Sequence, residues 1–276
     1  MKIQIMAIFN VSPESFNGDG VRGAAALTAR AQAVIAEGAD IVDIGGQSTR
    51  PGATTITPAE ELRRVLPAIA AVRALDKAIP ISIDTFKPEV AEAALRAGAT
   101  IVNDVHGCAD PAMVRLLTQH KHVRVVVMHS RGDAQTMSQL TDYPAGVMAE
   151  LHAFFKLRTA ALLAAGIARD RIIIDPGIGF AKTAPQSFTV TRDLQQLTAL
   201  GFPLLYAGSQ KSFIGKALAQ GAGEPAPVED RTVGTHITTA YAMLHGADIV
   251  RLHDVRAGVQ ARTIVESLLH PDQVTT

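Results

Sequence analysis

Short apolar runs rich in β-branched residues recur along the chain, each followed by a longer stretch with apolar residues at helical spacing. Residues 3–9, 41–44, 81–83, 101–102, 123–127, 172–174, 204–206 and 249–250 read as strands. Residues 24–36, 58–75, 88–97, 111–119, 148–165, 186–200, 230–244 and 257–269 read as helices. Thr57-Pro58 and Asp110-Pro111 have the form of a cap followed by a first-turn proline. The stretches EGAD, RAGAT and HGAD place glycine to end a helix just before the next strand. This alternation predicts parallel βα units, and eight of them without an evident linker predict one α/β domain over residues 1–276, a single (β/α)8 TIM barrel. The other arrangement is an open doubly wound sheet, whose first turn is usually glycine-rich; Asn10-Val11-Ser12-Pro13 is not.

The longest irregular stretches, residues 12–21, 47–57 and 130–145, all follow strands, on the face where such barrels do chemistry. Every strand also empties into polar residues. These are Asn10; Asp43 before GGQSTRPG; Asp84 in SIDT; Asn103-Asp104 in VNDVHG; and His129 after Met128. The series continues with Asp175 in IDPGIGF, Lys211-Ser212 in GSQKSFIG, and Arg251 with His253 in VRLHD. Any one acid or amide at a strand end reads as a cap or local turn, but eight such ends in a barrel converge on one mouth. Asp84, Asn103 and Asp175 suit the edge of a flat heterocycle bearing amino and lactam groups. Lys211 adds a mobile cation; Arg251 offers a planar fork for phosphate oxygens, and His253 a further donor. The expected ligand class is a polar heterocycle with a phosphate-bearing arm. GSQKSFIG is not a P-loop, because Gln210 stands where that motif needs glycine before the lysine. A class I aldolase using Lys211 as a Schiff base is a more distant alternative.

Composition narrows the partners. Lys plus Arg and Asp plus Glu number 26 each, so no global basic field exists for nucleic acid or an anionic membrane. Cys108 is the only cysteine, which excludes an intramolecular disulfide and argues against a thiolate metal cluster. The N-terminal apolar run is short, lacks a cleavage site and reads as a first strand, and no run reaches the roughly 18 apolar residues of a membrane helix. A soluble cytoplasmic protein is expected.

The segments IFNVSPESF, DIGGQSTRPGA, ISIDTFKPEVA, IVNDVHG, IDPGIGFAKT, GSQKSFIG and VRLHDV resemble, in order and spacing, those of the bacterial dihydropteroate synthases. The resemblance runs from about residue 1 to 269. It implies condensation of 6-hydroxymethyl-7,8-dihydropterin pyrophosphate with p-aminobenzoate, giving 7,8-dihydropteroate and pyrophosphate in folate synthesis. By position, Asp84, Asn103, Asp175 and Lys211 would grip the pterin, with Met128 and Phe180 flanking its ring. Arg251, His253 and Asn10 would form the pyrophosphate and Mg2+ site, Asn10 supplying a metal-ligating oxygen. Thr49, Arg50, Pro51 and Ser212 would shape the p-aminobenzoate pocket, and residues 12–21 would close over it. Asp84, Lys211, Asp175 and Arg251 would carry catalysis, by loss of pyrophosphate before the arylamine attacks. The resemblance also implies a homodimer and sulfonamide binding.

Asp43 and Asp104 are expected to bond loop amides and shape the mouth, and His129 to be a satisfied histidine of the rim. Four departures from the family pattern stand out: Gln210 for arginine, Gln47 for glutamate, Ala181 for glycine, and NGDG reordering the first loop. Gln210 removes a charge beside the aminobenzoate mouth, so altered affinity for p-aminobenzoate or sulfonamides is expected. Two further readings stay open: a pterin-binding paralogue of altered or absent activity, and a methyltetrahydrofolate methyltransferase, which would have no use for STRPGA.

Overall fold

Parallel strands form at each of the eight β-rich runs, and the register between them explains how distant residues meet. The computed structural model describes residues 2–11, 23–50, 52–219 and 223–274. The strands are β1 (Gln4–Asn10), β2 (Ile41–Gly45), β3 (Ile81–Asp84) and β4 (Ile101–Asp104), then β5 (Arg124–Met128), β6 (Ile172–Asp175), β7 (Leu205–Tyr206) and β8 (Ile249–Leu252). They pair in the order β6-β5-β4-β3-β2-β1-β8-β7. A parallel bridge between Ile174 and Leu204 closes β6 onto β7, and the barrel is the (β/α)8 fold the alternation predicts.

Side chains alternate across a strand, so every second residue faces the interior. Met6, Ile41, Ile101, Val126, Ile173, Leu205 and Ile249 share one buried cluster with Ala207, an apolar floor inside the barrel. Two residues further along come Asp43, Asn103, Met128, Asp175 and Arg251. The period of two therefore raises the polar set directly above the floor. Lateral pairing aligns it: Asn10 lies opposite Gly45, Gly45 opposite Asp84, and Asp84 opposite Asn103. Met128 and Asp175 are likewise partners. The larger core, including Phe9, Ile44, Ile69, Ile83 and Phe155, fills the layer between strands and helices.

The helices are α1 (Ala24–Ala36), α2 (Pro58–Leu75), α3 (Pro88–Arg96), α4 (Pro111–Gln119), α5 (Val147–Ala164) and α6 (Ala184–Arg192), then α7 (Gln195–Thr198), α8 (Ser212–Leu218), α9 (Thr232–Leu244) and α10 (Val255–Leu269). The expected caps form: Thr57 accepts from the Glu60 N–H and Asp110 from the Ala112 N–H. Two differences from the sequence pattern have physical causes. The helix expected over 186–200 breaks after Arg192, and the chain then turns so that Leu194 and Leu197 are fully buried. The apolar return after Lys211 is the short helix α8, which drives Phe213 and Ile214 into the core.

Candidate active site

At the centre of the mouth, Arg251 is clamped between two carboxylates. Its Nε donates to Asp43 Oδ2 at 2.5 Å and its Nη2 to Asp84 Oδ2 at 2.8 Å. Asn103 Nδ2 also donates to Asp43 Oδ2, at 3.2 Å. Asp43 thus does not bond loop amides as the sequence suggested. It faces the barrel interior because it follows Ile41 by two residues, and there it holds Arg251 and Asn103. Asp104 does bond loop amides, accepting from the His106 and Cys108 N–H groups. The second oxygens of Asp43 and Asp84 are buried without a partner among the described residues, a costly state for acceptors unless a ligand completes them. Burial pushes the Asp84 carboxyl up to about 7, against the opposing pull of Arg251.

The turn from β6 to α6 forms the next wall. Asp175 accepts from the Gly177 N–H at 2.8 Å, and burial raises its pKa while Lys211 opposes. Lys211 Nζ donates to the Ile178 carbonyl at 2.6 Å and lies 4.7 Å from the Phe180 ring centroid. Its pKa falls to about 8 through burial. Gly177, Gly179 and Ala181 all have positive φ, 65°, 78° and 47°, which is why glycine is the easier residue at Ala181. A Cβ on Gly177 would sit 2.0 Å from the His129 carbonyl oxygen. Lys182 fastens the turn from beneath, reaching His129 Nδ1 at 2.9 Å and the Gly177 and Phe180 carbonyls at 3.1 Å. His129 is the satisfied rim histidine expected. The sequence marks Lys182 only by its place three residues after the second glycine of IDPGIGFAKT.

On the β8 side, His253 Nδ1 pairs with Ser209 Oγ at 2.9 Å, and burial, aided by Arg251, lowers its pKa to about 4. The loop after β2 is anchored rather than loose. Gln47 Oε1 accepts from Lys87 Nζ at 2.7 Å and from the Ile56 N–H at 3.1 Å, while Lys87 also pairs with buried Glu61. Gln47 therefore retains the acceptor that a glutamate would provide. Gln210 has φ 57°, donates its N–H to Thr235 Oγ1, and offers its carbonyl to Arg231.

Asn10, Thr49, Arg50, Asp84, Phe180, Lys211, Ser212, Arg251 and His253 line one cavity of about 420 Å³, with Gln210 and Arg231 on its wall. Asn103, Met128 and Asp175 lie buried at the same strand ends but are not among its lining residues. A smaller cavity of about 250 Å³ adjoins it across Gln47, Ser48, Thr49 and Phe180. Pro51 and residues 12–21 lie outside the described residues. No group of three His, Cys, Asp or Glu side chains among the described residues could hold a metal. A magnesium ion would fit only as one carried by phosphate oxygens and waters, with the Asn10 amide oxygen as a hard ligand, a combination this ion commonly uses.

Residues 6–253 match the family described as pterin binding enzyme. A dihydropteroate synthase from Synechocystis sp. is 47% identical over 268 residues, covering 96% of this chain and 89% of that protein. The structure of Xanthomonas albilineans dihydropteroate synthase with 4-aminobenzoic acid superposes with a TM-score of 0.89 at 38% identity, covering 98% of this chain and 94% of the other. The structure of the Clostridium difficile dihydropteroate synthase in the presence of pteroic acid gives 0.87 at 37% identity, covering 97% of each chain.

Proposed function

The chain belongs to the pterin binding enzyme family, and from that membership we infer that it catalyses the dihydropteroate synthase reaction. It joins 6-hydroxymethyl-7,8-dihydropterin pyrophosphate to p-aminobenzoate, releasing 7,8-dihydropteroate and pyrophosphate. The observation that carries the residue roles is the single cavity that gathers Asp84, Lys211, Arg251, His253 and Ser212 from three separate strand ends.

In this reading the pterin edge bonds to Asp84, Asn103, Asp175 and Lys211, against Phe180 with Met128 beneath. The unpartnered Oδ1 of Asp84 is an acceptor for a ring N–H. The diphosphate lies against Arg251 and His253. Arg251 uses Nε and Nη2 on the two aspartates, leaving Nη1 without a hydrogen bond among the described residues and open to a phosphate oxygen. Departure of pyrophosphate leaves a cation at the pterin methylene carbon. Asp84 and Asp175 balance its charge, and the p-aminobenzoate amine then attacks that carbon. Asn10 would hold a magnesium ion, which when bound would neutralise leaving-group charge. Thr49, Arg50 and Ser212 would receive p-aminobenzoate, together with Pro51. Gln210 weakens the positive field at that end, and Gln210→Arg should lower the Michaelis constant for p-aminobenzoate.

A homodimer is part of the same reading. Val233, Ile237 and Leu244 on α9, with Ile264 and Leu268 on neighbouring α10, form an exposed apolar face suited to a second copy. A coupled assay with both substrates, repeated for Asp84→Ala and Arg251→Ala, tests the catalytic roles. Loss of turnover of 100-fold or more in folded protein is expected, and near-normal turnover in either variant overturns that residue's role. Pterin binding without pyrophosphate release in the unmutated protein would instead favour the inactive paralogue.

A further inference from the structure

One buried cation has no part in this chemistry. Lys182 is 7% exposed, and its three partners are the His129 ring nitrogen and the carbonyls of Gly177 and Phe180, none of them a carboxylate. Burying an ammonium without a paired anion is costly, and these three acceptors are what offset that cost. Burial brings its pKa down to about 7, with Asp175 opposing. The segment it touches also has a cost of its own. Positive φ at Gly177, Gly179 and Ala181 puts three unusual backbone conformations within five residues, one of them on a residue with a Cβ.

Such a turn needs fastening from both sides. Outside, the Tyr143 hydroxyl donates to the Ala181 carbonyl at 2.8 Å. Inside, the ammonium's three protons match three acceptors, two of them on the turn itself. The turn then bears on two cavity-lining groups: it carries the Phe180 ring, and its Ile178 carbonyl holds the Lys211 ammonium. We propose that Lys182 is a positioning residue, whose bonds to the Gly177 and Phe180 carbonyls hold the β6–α6 turn in the shape that sets Phe180 and Lys211 against the pterin. Lys182 itself touches no substrate. The proposal rests on the pterin-binding reading above.

Two variants separate geometry from charge. Lys182→Met removes all the donors, whereas Lys182→Gln retains two N–H donors and no charge. Steady-state kinetics and direct titration with 6-hydroxymethylpterin are the readouts. Lys182→Met is expected to raise the Michaelis constant for the pterin pyrophosphate and the pterin dissociation constant at least tenfold, with that for p-aminobenzoate changed less than twofold. Lys182→Gln is expected to bring pterin affinity back to within about threefold of wild type. Wild-type pterin affinity in Lys182→Met, or an equal rise in both Michaelis constants, overturns the proposal. If Lys182→Met does not fold, Lys182→Gln decides alone: a tenfold loss of pterin affinity at unchanged melting temperature assigns the effect to charge and overturns the positioning role. Absence of turnover and pterin binding in the unmutated protein would instead refute the underlying function.

Discussion

Arg251 cannot be understood apart from Asp43 and Asp84, since its guanidinium is shared between them. Asp43→Ala should leave Arg251 tethered on one side only and strip Asn103 of its acceptor, so the Michaelis constant for the pterin pyrophosphate should rise about tenfold, ~1.4 kcal/mol. Asp43→Asn, which keeps an acceptor oxygen, should cost clearly less; equal effects would show that Asp43 does not act by placing Arg251. Titration gives a second expectation. A carboxylate that must be anionic works above its pKa, and with Asp84 near 7 activity should fall as pH drops through that value. An ammonium that must be charged works below its pKa, and with Lys211 near 8 activity should fall as pH rises past it. A pH profile of kcat/KM should be a narrow bell with limbs near those values, and a flat profile from 6 to 9 would contradict both assignments. At this scale the sequence was informative about residue type and poor about partners. Asp43 reads as a loop-shaping acid because an aspartate just ahead of Gly45-Gly46 has the form of a turn residue. Its spacing from Ile41, the same as Asn103 from Ile101, was the available signal.

Among the elements, the β6–α6 turn is the most constrained. Gly177→Ala would drive a methyl group into the His129 carbonyl at a φ that favours glycine, and the strand ends on both sides would have to shift. A loss of about 2–4 kcal/mol is expected, seen as a fall in melting temperature of about 5 °C or more together with loss of pterin binding. A variant that melts and binds like wild type would mean the turn is looser than its hydrogen bonds indicate. Strands and most helices are legible because the hydrophobic period is backed at most helices by a second signal, a first-turn proline at α2, α3, α4 and α6 or a terminal glycine after α1, α3, α5 and α9. Helix α8 is not. Seven residues of mixed polarity carry too little periodicity to distinguish a helix from a loop that dips into the core.

For the molecule as a whole, the fold was legible because eight repeats of one unit leave few alternatives, whereas the outer surface carries no such repeat. If the apolar face of α9 and α10 joins two copies, Ile237→Glu should convert a dimer to a monomer in sedimentation analysis at micromolar concentration. A wild-type protein that is monomeric there would remove the premise. The barrel also has one uneven joint. Strand β7 is two residues long, and its hold on β6 is the Ile174–Leu204 bridge with the Ile174 N–H on the Pro203 carbonyl at 2.9 Å. Any partial opening of the cylinder should begin at this seam, so the Ile174 amide should take up deuterium sooner than the amides of Val126 or Ile44. A pterin held between Asp175 and Lys211 would button the two edges together. Ligand should then slow exchange at Ile174, whose side chain faces away from the cavity, and exchange there that ignores ligand would mean the two edges do not move apart.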